Sequence, residues 1–434
     1  MFDPVAVLAD LIQVDTTNPP GNETAAMDLI RKLLEEAGIT PMILARDPAR
    51  PNLVARIRGR GEAPPFLMQG HVDVVPTGDQ QWERDPFGGE VIDGEMWGRG
   101  SLDMKGPVVM MLHAFIRLAG SGSPPAGDII LAIVSDEEDS GFYGARFLVD
   151  EHPGLFEGVK YCIGEFGGFS FPFAGARFCP IQVSERMGIR FELTLTAEGG
   201  HGSMPRRGAA MARLAKVLTD LDRKRLPIHI SPATRLMVEG MAAHATGVRR
   251  RVMQMLLDER SAAAAFRLMP GQLEAMEPLF RNTVSPTIVH GGDRFNVIPG
   301  RITLTLDGRM VPSSNPEEMA GELRRVIGDD IAVEYTVDGE PGPEQPDLGL
   351  FPLLADVMTR RDAGLIPVPF MMPAVTDGRW FARLGIQPYG FTPLLLPDGF
   401  EFQKLAHAAN ERVPVTAIET GAGIIYDLLQ RYPG

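Results

Sequence analysis

Cysteine is almost missing from this 434-residue chain, which contains only Cys162 and Cys179. Two thiols cannot build a disulfide framework, and these two fit no spaced metal motif. Both read as buried thiols in a reducing compartment. Long apolar runs are missing too. No stretch reaches the roughly 18 uncharged apolar residues of a membrane helix. The opening Met1-Phe2-Asp3-Pro4 has no basic segment, and the apolar run after it is broken by Asp10. No signal peptide and no membrane partner are therefore expected, and the expected compartment is the cytoplasm. Positive charge is in deficit, with 42 Lys and Arg against 56 Asp and Glu, a formal charge of −14. A phosphate-tracking protein shows a basic stripe. None stands out, so no nucleic-acid partner is expected and the acidity reads as solubility. Internal repeats and low-complexity tracts are absent.

What is present is enough sequence for two domains. Hydrophobic residues make up 44% and charged residues 23%, ordinary for a large core. Helical spacing predicts helices over 3–14 and 23–37. Strands are predicted over 52–57 and 66–69, a helix over 106–118 with Pro107 in its first turn, a near-continuous apolar strand over 128–134 and a helix over 142–149. Such alternation argues for an α/β fold with a mostly parallel central sheet flanked by helices. Near Val183 the pattern changes. Ile189, Phe191, Leu193 and Leu195 alternate with polar residues, as in an antiparallel strand with one wet face. A helix is expected over 209–221, a long helical stretch over 240–279 and a second alternating strand over 301–309. Residues 183–311 are expected to form a smaller inserted α+β domain, with 1–182 and 312–434 forming the larger one.

Four segments suggest chemistry. In Gly70-His71-Val72-Asp73, His71 and Asp73 share one face of a strand. A carboxylate there can orient a ligating histidine, although a plain buried His–Asp pair gives the same pattern. In the run from Gly98 to Gly106, glycines flank Asp103 ahead of a helix, suited to bridging two cations or to capping the helix. Asp136-Glu137-Glu138-Asp139 follows an apolar strand; packed like charges call for a cation, whereas a solvated loop does not. Glu165 sits beside Gly164, and a distant run from Lys404 to Val413 adds His407. Mixed imidazole and carboxylate donors suit zinc, cobalt or manganese better than calcium.

In these residues, and in their order, the chain resembles the aminoacylase, carboxypeptidase G, acetylornithine deacetylase and succinyl-diaminopimelate desuccinylase family of dinuclear metallohydrolases, along nearly its whole length. The resemblance implies a zinc-exopeptidase-like catalytic domain with an inserted lid or dimerisation domain, and a homodimer. It implies two divalent cations, zinc by preference. His71, Asp103 and Glu165 would hold one, and Asp103, Glu138 and His407 the other. Glu137 would be the general base, and Asp73 would orient His71. A cis peptide is implied at Asp103–Met104. His201, in Gly199-Gly200-His201-Gly202-Ser203, would stabilise the oxyanion in the partner subunit, though a loop histidine in a glycine turn reads the same way. Asn296 and Arg379 would contact the substrate. Arg309 is a further candidate that equally could close a salt bridge at a strand end. The implied reaction is hydrolysis of an amide or peptide bond next to a free carboxylate in a small-molecule substrate. Two departures bear on the pocket and the dimer. Glu165 is followed by Phe166 where a small residue is expected, and the 240–279 stretch is longer than in the plainest members. The histidines at 113, 152, 229, 244 and 290 match no motif and are assigned structural or surface roles. Two rivals remain open: a catalytically silent relative, and a dinuclear phosphoesterase, against which no phosphate-cradling glycine loop is present.

Overall fold

Four strands buried at every position make the centre of the first structural unit: Ile129–Val134, Phe66–His71, Tyr161–Gly164 and Gln387–Gly390, adjacent in that order. All three junctions are parallel, with His71 opposite Val134, Met68 opposite Ile163 and Gly164 opposite Gly390. A strand buried on both faces has no reason to alternate, which is why this part of the chain reads as short apolar runs. Antiparallel strands extend the sheet, Asn52–Ile57 beside Ile129–Val134 and Met42–Leu44 beyond it. The architecture is the expected α/β one. It is seen in a computed structural model that describes residues 2–433 apart from 174, 270, 272 and 339–343.

Helix Lys105–Ala119 is buried along most of its length and packs against helix Val415–Arg431. Helices Ala145–Glu151 and Gly378–Ala382 share a second core in which Leu67, Ile130, Val134, Phe147, Leu148, Trp380 and Phe381 meet. Each such side chain contributes roughly 1.5–3 kcal/mol on burial. Cys162 and Cys179 are both buried, as expected. Among the described residues no helix is long and apolar enough to cross a membrane.

The chain divides into two units: Met1–Val183 with Asp347–Phe370 and Thr376–Gly434, and Ser184–Pro346 with Met371–Val375. The second is built on an antiparallel sheet in the order Thr283–His290, Arg301–Met310, Met187–Thr196, Ala332–Asp338. Ile189, Phe191, Leu193 and Leu195 face a core with Leu214 and Val217 of helix Ala210–Arg223 and Met319 and Leu323 of helix Pro316–Ile327. The second unit therefore runs past 311, where the sequence reading returned the chain to the larger domain. A helix followed by a strand at 316–338 mimics a βα rhythm, but its apolar face is spent on the antiparallel sheet. The helical stretch also differs from expectation. It starts earlier, at Pro232 behind the capping hydroxyl of Ser231, and comprises helices Pro232–His244, Gly247–Met255 and Glu259–Leu268 followed by a 3-10 turn, Glu274–Phe280. Asp258 caps the third helix through the amide of Arg260, so the chain leaves helical geometry just before it.

Candidate metal centre

The parallel register brings three strand ends together. His71 ends the middle strand, Glu137 and Glu138 follow the neighbouring Ile129–Val134, and Glu165 follows Tyr161–Gly164 on the other side. Open α/β sheets place their sites at such carboxyl ends. Asp103 comes from the turn ahead of helix Lys105–Ala119, and the Asp103–Met104 peptide is cis. His407 comes from the segment after helix Phe402–Leu405.

Asp103 sits between two imidazoles. Its Oδ1 lies 3.2 Å from His71 Nε2, and its Oδ2 lies 3.2 Å from His407 Nε2. Glu165 approaches His71 Nε2 at 3.5 Å, and Glu138 approaches His407 Nε2 at 3.1 Å. Two donors bound to one cation at about 2.1 Å in tetrahedral geometry stand about 3.4 Å apart. The two triads, His71–Asp103–Glu165 and Asp103–Glu138–His407, thus have the donor chemistry and spacing of two cation positions sharing one carboxylate. His71 Nδ1 faces the backbone carbonyl of Asp73 at 3.0 Å, with the Asp73 carboxylate farther off at 3.5 Å. In the neutral imidazole, donation from Nδ1 to that carbonyl makes Nε2 the free acceptor aimed at the site.

Sequence could not tell the adjacent Glu137 and Glu138 apart without the resemblance; the geometry distinguishes them. Glu138 is engaged by His407 Nε2. Glu137 comes no nearer to His71 Nε2 than 3.9 Å, and among the described residues no hydrogen bond holds its carboxylate. Burial, with Glu165 close by, raises its pKa well above the ordinary value. Burial likewise pushes Glu138 up to about 7. Burial disfavours the charged form of His71, yet Asp103, Asp73 and Glu165 outweigh it and raise its pKa strongly. Hydrogen bonds from its ring to the Asp103 and Glu138 carboxylates lift His407 to about 10. This carboxylate-rich pocket attracts positive charge, and a divalent cation answers that demand as well as protons do.

The sequence reading missed the polar groups behind these donors. Asn18 Nδ2 donates to Asp73 at 2.9 Å and to Asp136 at 3.1 Å. The amides of Glu137 and Glu138 donate to the two Asp73 oxygens at 3.2 and 3.1 Å. Burial works against the Asp73 carboxylate, but His71, Asn18 and these donors hold its pKa below the usual value. Arg50 spans Asp136 at 3.0 Å and Glu23 at 2.7 Å. The only local signal for Asn18 is the turn sequence Thr17-Asn18-Pro19-Pro20-Gly21 between the first two helices, which points to no chemistry by itself. Asp377 is fully buried, and burial drives its pKa well up.

Arg379, on helix Gly378–Ala382, is buried with its guanidinium 5.0 Å from the Trp380 ring centre, and its charge opposes the burial that raises the pKa of Asp377. His201, Asn296 and Arg309 belong to the second unit. His201 pairs with Val297 in a short ladder, is exposed, and has Nδ1 2.7 Å from Ser203 Oγ. Asn296 is its neighbour, its carbonyl accepting from Gly202 N–H at 2.8 Å. Arg309 pairs with Asp307 at 3.0 Å, the salt-bridge alternative left open for it.

The family profile of peptidase family M20/M25/M40 matches residues 67–431. The chain belongs to this family. It is 36% identical over 450 residues to a succinyl-diaminopimelate desuccinylase of Cereibacter sphaeroides, with 99% of both chains covered. It is 29% identical to a carboxypeptidase S-like protein of Dictyostelium discoideum, covering 87% of this chain and 74% of that one. Its fold is similar to that of an M20 metallo-carboxypeptidase from Sulfolobus solfataricus, with TM-score 0.73 and 17% identity over 100% of both chains. As an M20 protein it is a metal-dependent hydrolase acting on amide or peptide bonds of small-molecule substrates.

Proposed function

We propose that this M20 hydrolase cleaves an amide bond next to a free carboxylate, in N-acyl amino acids, dipeptides or C-terminal peptide bonds. The observation that carries the reading is Asp103, whose two oxygens face two different imidazoles. In this reading His71, Asp103 and Glu165 hold one cation, Asp103, Glu138 and His407 hold the other, and zinc is the best match to the donors. Bound there, the cation pair supplies Lewis acidity and lowers the pKa of the attacking water to about 7. Glu137, whose carboxylate is not tied down, takes a proton from that water and returns it to the leaving amine. Asp73 keeps His71 in the tautomer that presents Nε2. Arg379 holds the substrate carboxylate, a bidentate contact its planar fork favours. Asn296 adds a further contact, and Arg309 joins by exchanging Asp307 for the substrate. His201, from a second copy of the chain in a homodimer, donates to the oxyanion; such a donor is worth about 3–4 kcal/mol of barrier.

The test is hydrolysis of a mixed panel of dipeptides and N-acyl amino acids by the metal-reconstituted protein, with and without chelator. Chelator-sensitive release of a free amino acid is the expected result and names the acyl group. Two bound cations with no turnover on any panel member would count against this reading and favour a silent relative.

A further inference from the structure

Arg99 and Glu411 are opposite charges 312 residues apart in the chain, buried together at 1% and 0% exposure, with Nη1 and Oε2 2.6 Å apart. A buried ion pair is weak evidence for stability, because desolvating the two ions costs about as much as their attraction returns. What this pair has, and an apolar pair of the same volume would lack, is directional bonding to the backbone on both sides. The other Glu411 oxygen accepts from the amides of Leu102 at 2.8 Å and Asp103 at 3.2 Å. Arg99 donates to the carbonyl of Ala408 at 3.2 Å and to Gln80 at 2.6 Å, and Gln80 donates to the carbonyl of His407 at 2.7 Å. A closed path therefore runs from the Asp103 amide through Glu411, Arg99 and Gln80 to the His407 carbonyl.

The two ends of that path carry facing donors, Asp103 Oδ2 and His407 Nε2, 3.2 Å apart. Packing does little to hold His407: its side chain is 49% exposed and its backbone is left-handed, φ 62°. The other triad is held differently. His71 ends a fully buried strand and is fixed by the Asp73 carbonyl, and Glu165 follows a fully buried strand.

We infer that Gln80, Arg99 and Glu411 form a positioning clamp that sets the separation of Asp103 and His407, and so controls how tightly the His407 triad holds its cation. This rests on the reading of the two triads as cation positions. The role is one of placement, since none of the three side chains supplies a donor to either triad.

Zinc binding to the full-length protein, measured by competition with a chromophoric chelator, tests the inference in wild type, Gln80→Leu, Glu411→Gln, Arg99→Met and the Arg99→Met/Glu411→Gln pair. Loss of a group that orients a ligand typically weakens a metal about 10–100-fold. For Gln80→Leu, which loosens only the His407 end, that weakening is expected at one of the two positions, with the other within about threefold of wild type. The Arg99 and Glu411 variants also loosen Asp103, which both triads share, and are expected to weaken both positions, the His407 one more. Equal weakening of both positions, or no change in either, would overturn the inference. Gln80→Leu removes only the link to His407, so it carries the test if Arg99→Met fails to fold. A merely structural clamp would lower the melting temperature and leave the ratio of the two dissociation constants alone. Turnover on the same samples separates the two readings. Two cations bound by wild type without any hydrolysis would remove the proposed chemistry and leave the clamp standing on its ratio. A wild type that takes up one cation would overturn both.

Discussion

Glu137 and Glu138 are neighbours in sequence and differ in what touches them. Glu138 is engaged by His407, whereas the Glu137 carboxylate is held by nothing among the described residues. Glu137→Gln keeps the shape and removes the proton acceptor. General acid–base groups are worth about 10²–10⁴-fold, so kcat is expected to fall by at least that lower bound while elemental analysis still finds both cations. Wild-type rates would remove Glu137 as the base. Arg50 makes a second residue-scale case. It is the buried cation facing Glu23 and Asp136, and it lies behind the loop that carries both glutamates. Burial, opposed by Arg50, pushes Glu23 up to about 7. Arg50→Met strands those carboxylates, and breaking a buried pair costs about 3–5 kcal/mol. Denaturant unfolding should show that loss. The Arg50→Met/Glu23→Gln pair should recover part of it, and no recovery would mean the loss comes from elsewhere.

Strand Thr283–His290 is the outer strand of the second unit's sheet, and Ile288 and Val289 on it are 49% and 48% exposed. An unpaired edge with apolar side chains is a template for another strand. The homodimer needed for His201 to act in a partner's site is expected to use this edge. Ile288→Lys/Val289→Lys should shift the protein to monomer in sedimentation velocity and lower kcat along with it. A wild type that sediments as a monomer at micromolar concentration would remove the trans role of His201. A second element contact makes a pH prediction. His229 Nε2 lies 2.5 Å from Glu322 on helix Pro316–Ile327, and that bond raises the pKa of His229 above 6.5. The folded state then holds the proton more tightly than the unfolded chain does. The stabilisation is fully present below about 6.5 and is lost as pH rises through the folded value. The melting-temperature gap between wild type and His229→Gln should be wider at pH 6 than at pH 9. A gap independent of pH would show that the pair stabilises through packing alone.

For the whole molecule, the carboxylate-rich pocket links stability to cation binding. A cation at 100 times its dissociation constant adds about 2.7 kcal/mol when it binds only the folded state. Chelation should therefore lower the melting temperature, and zinc should restore it together with activity. Restoration by magnesium in place of zinc, cobalt or manganese would contradict the donor chemistry.

Much of this architecture was already visible in the residues. Apolar strands buried on both faces advertise themselves as short continuous runs, so Ile129–Val134 and Phe66–His71 were legible. Alternation in Met187–Thr196 marked the antiparallel sheet, because one face of that strand is wet. The residues proposed as cation donors were candidates in the sequence: His71, Asp103 and Glu165 beside glycines at strand and helix ends, Glu138 in the acidic run after an apolar strand, and His407 through the family resemblance. Tertiary structure alone decided the rest. The boundary at 346 depends on which sheet a helix and strand choose to pack against, and local periodicity is the same for either choice. The groups behind the donors, Asn18, Arg50 and Glu23 on one side and Gln80, Arg99 and Glu411 on the other, act through single hydrogen bonds between segments dozens to hundreds of residues apart. Such bonds leave no period and no spacing in a chain, because their geometry exists only after the strands have brought the segments together.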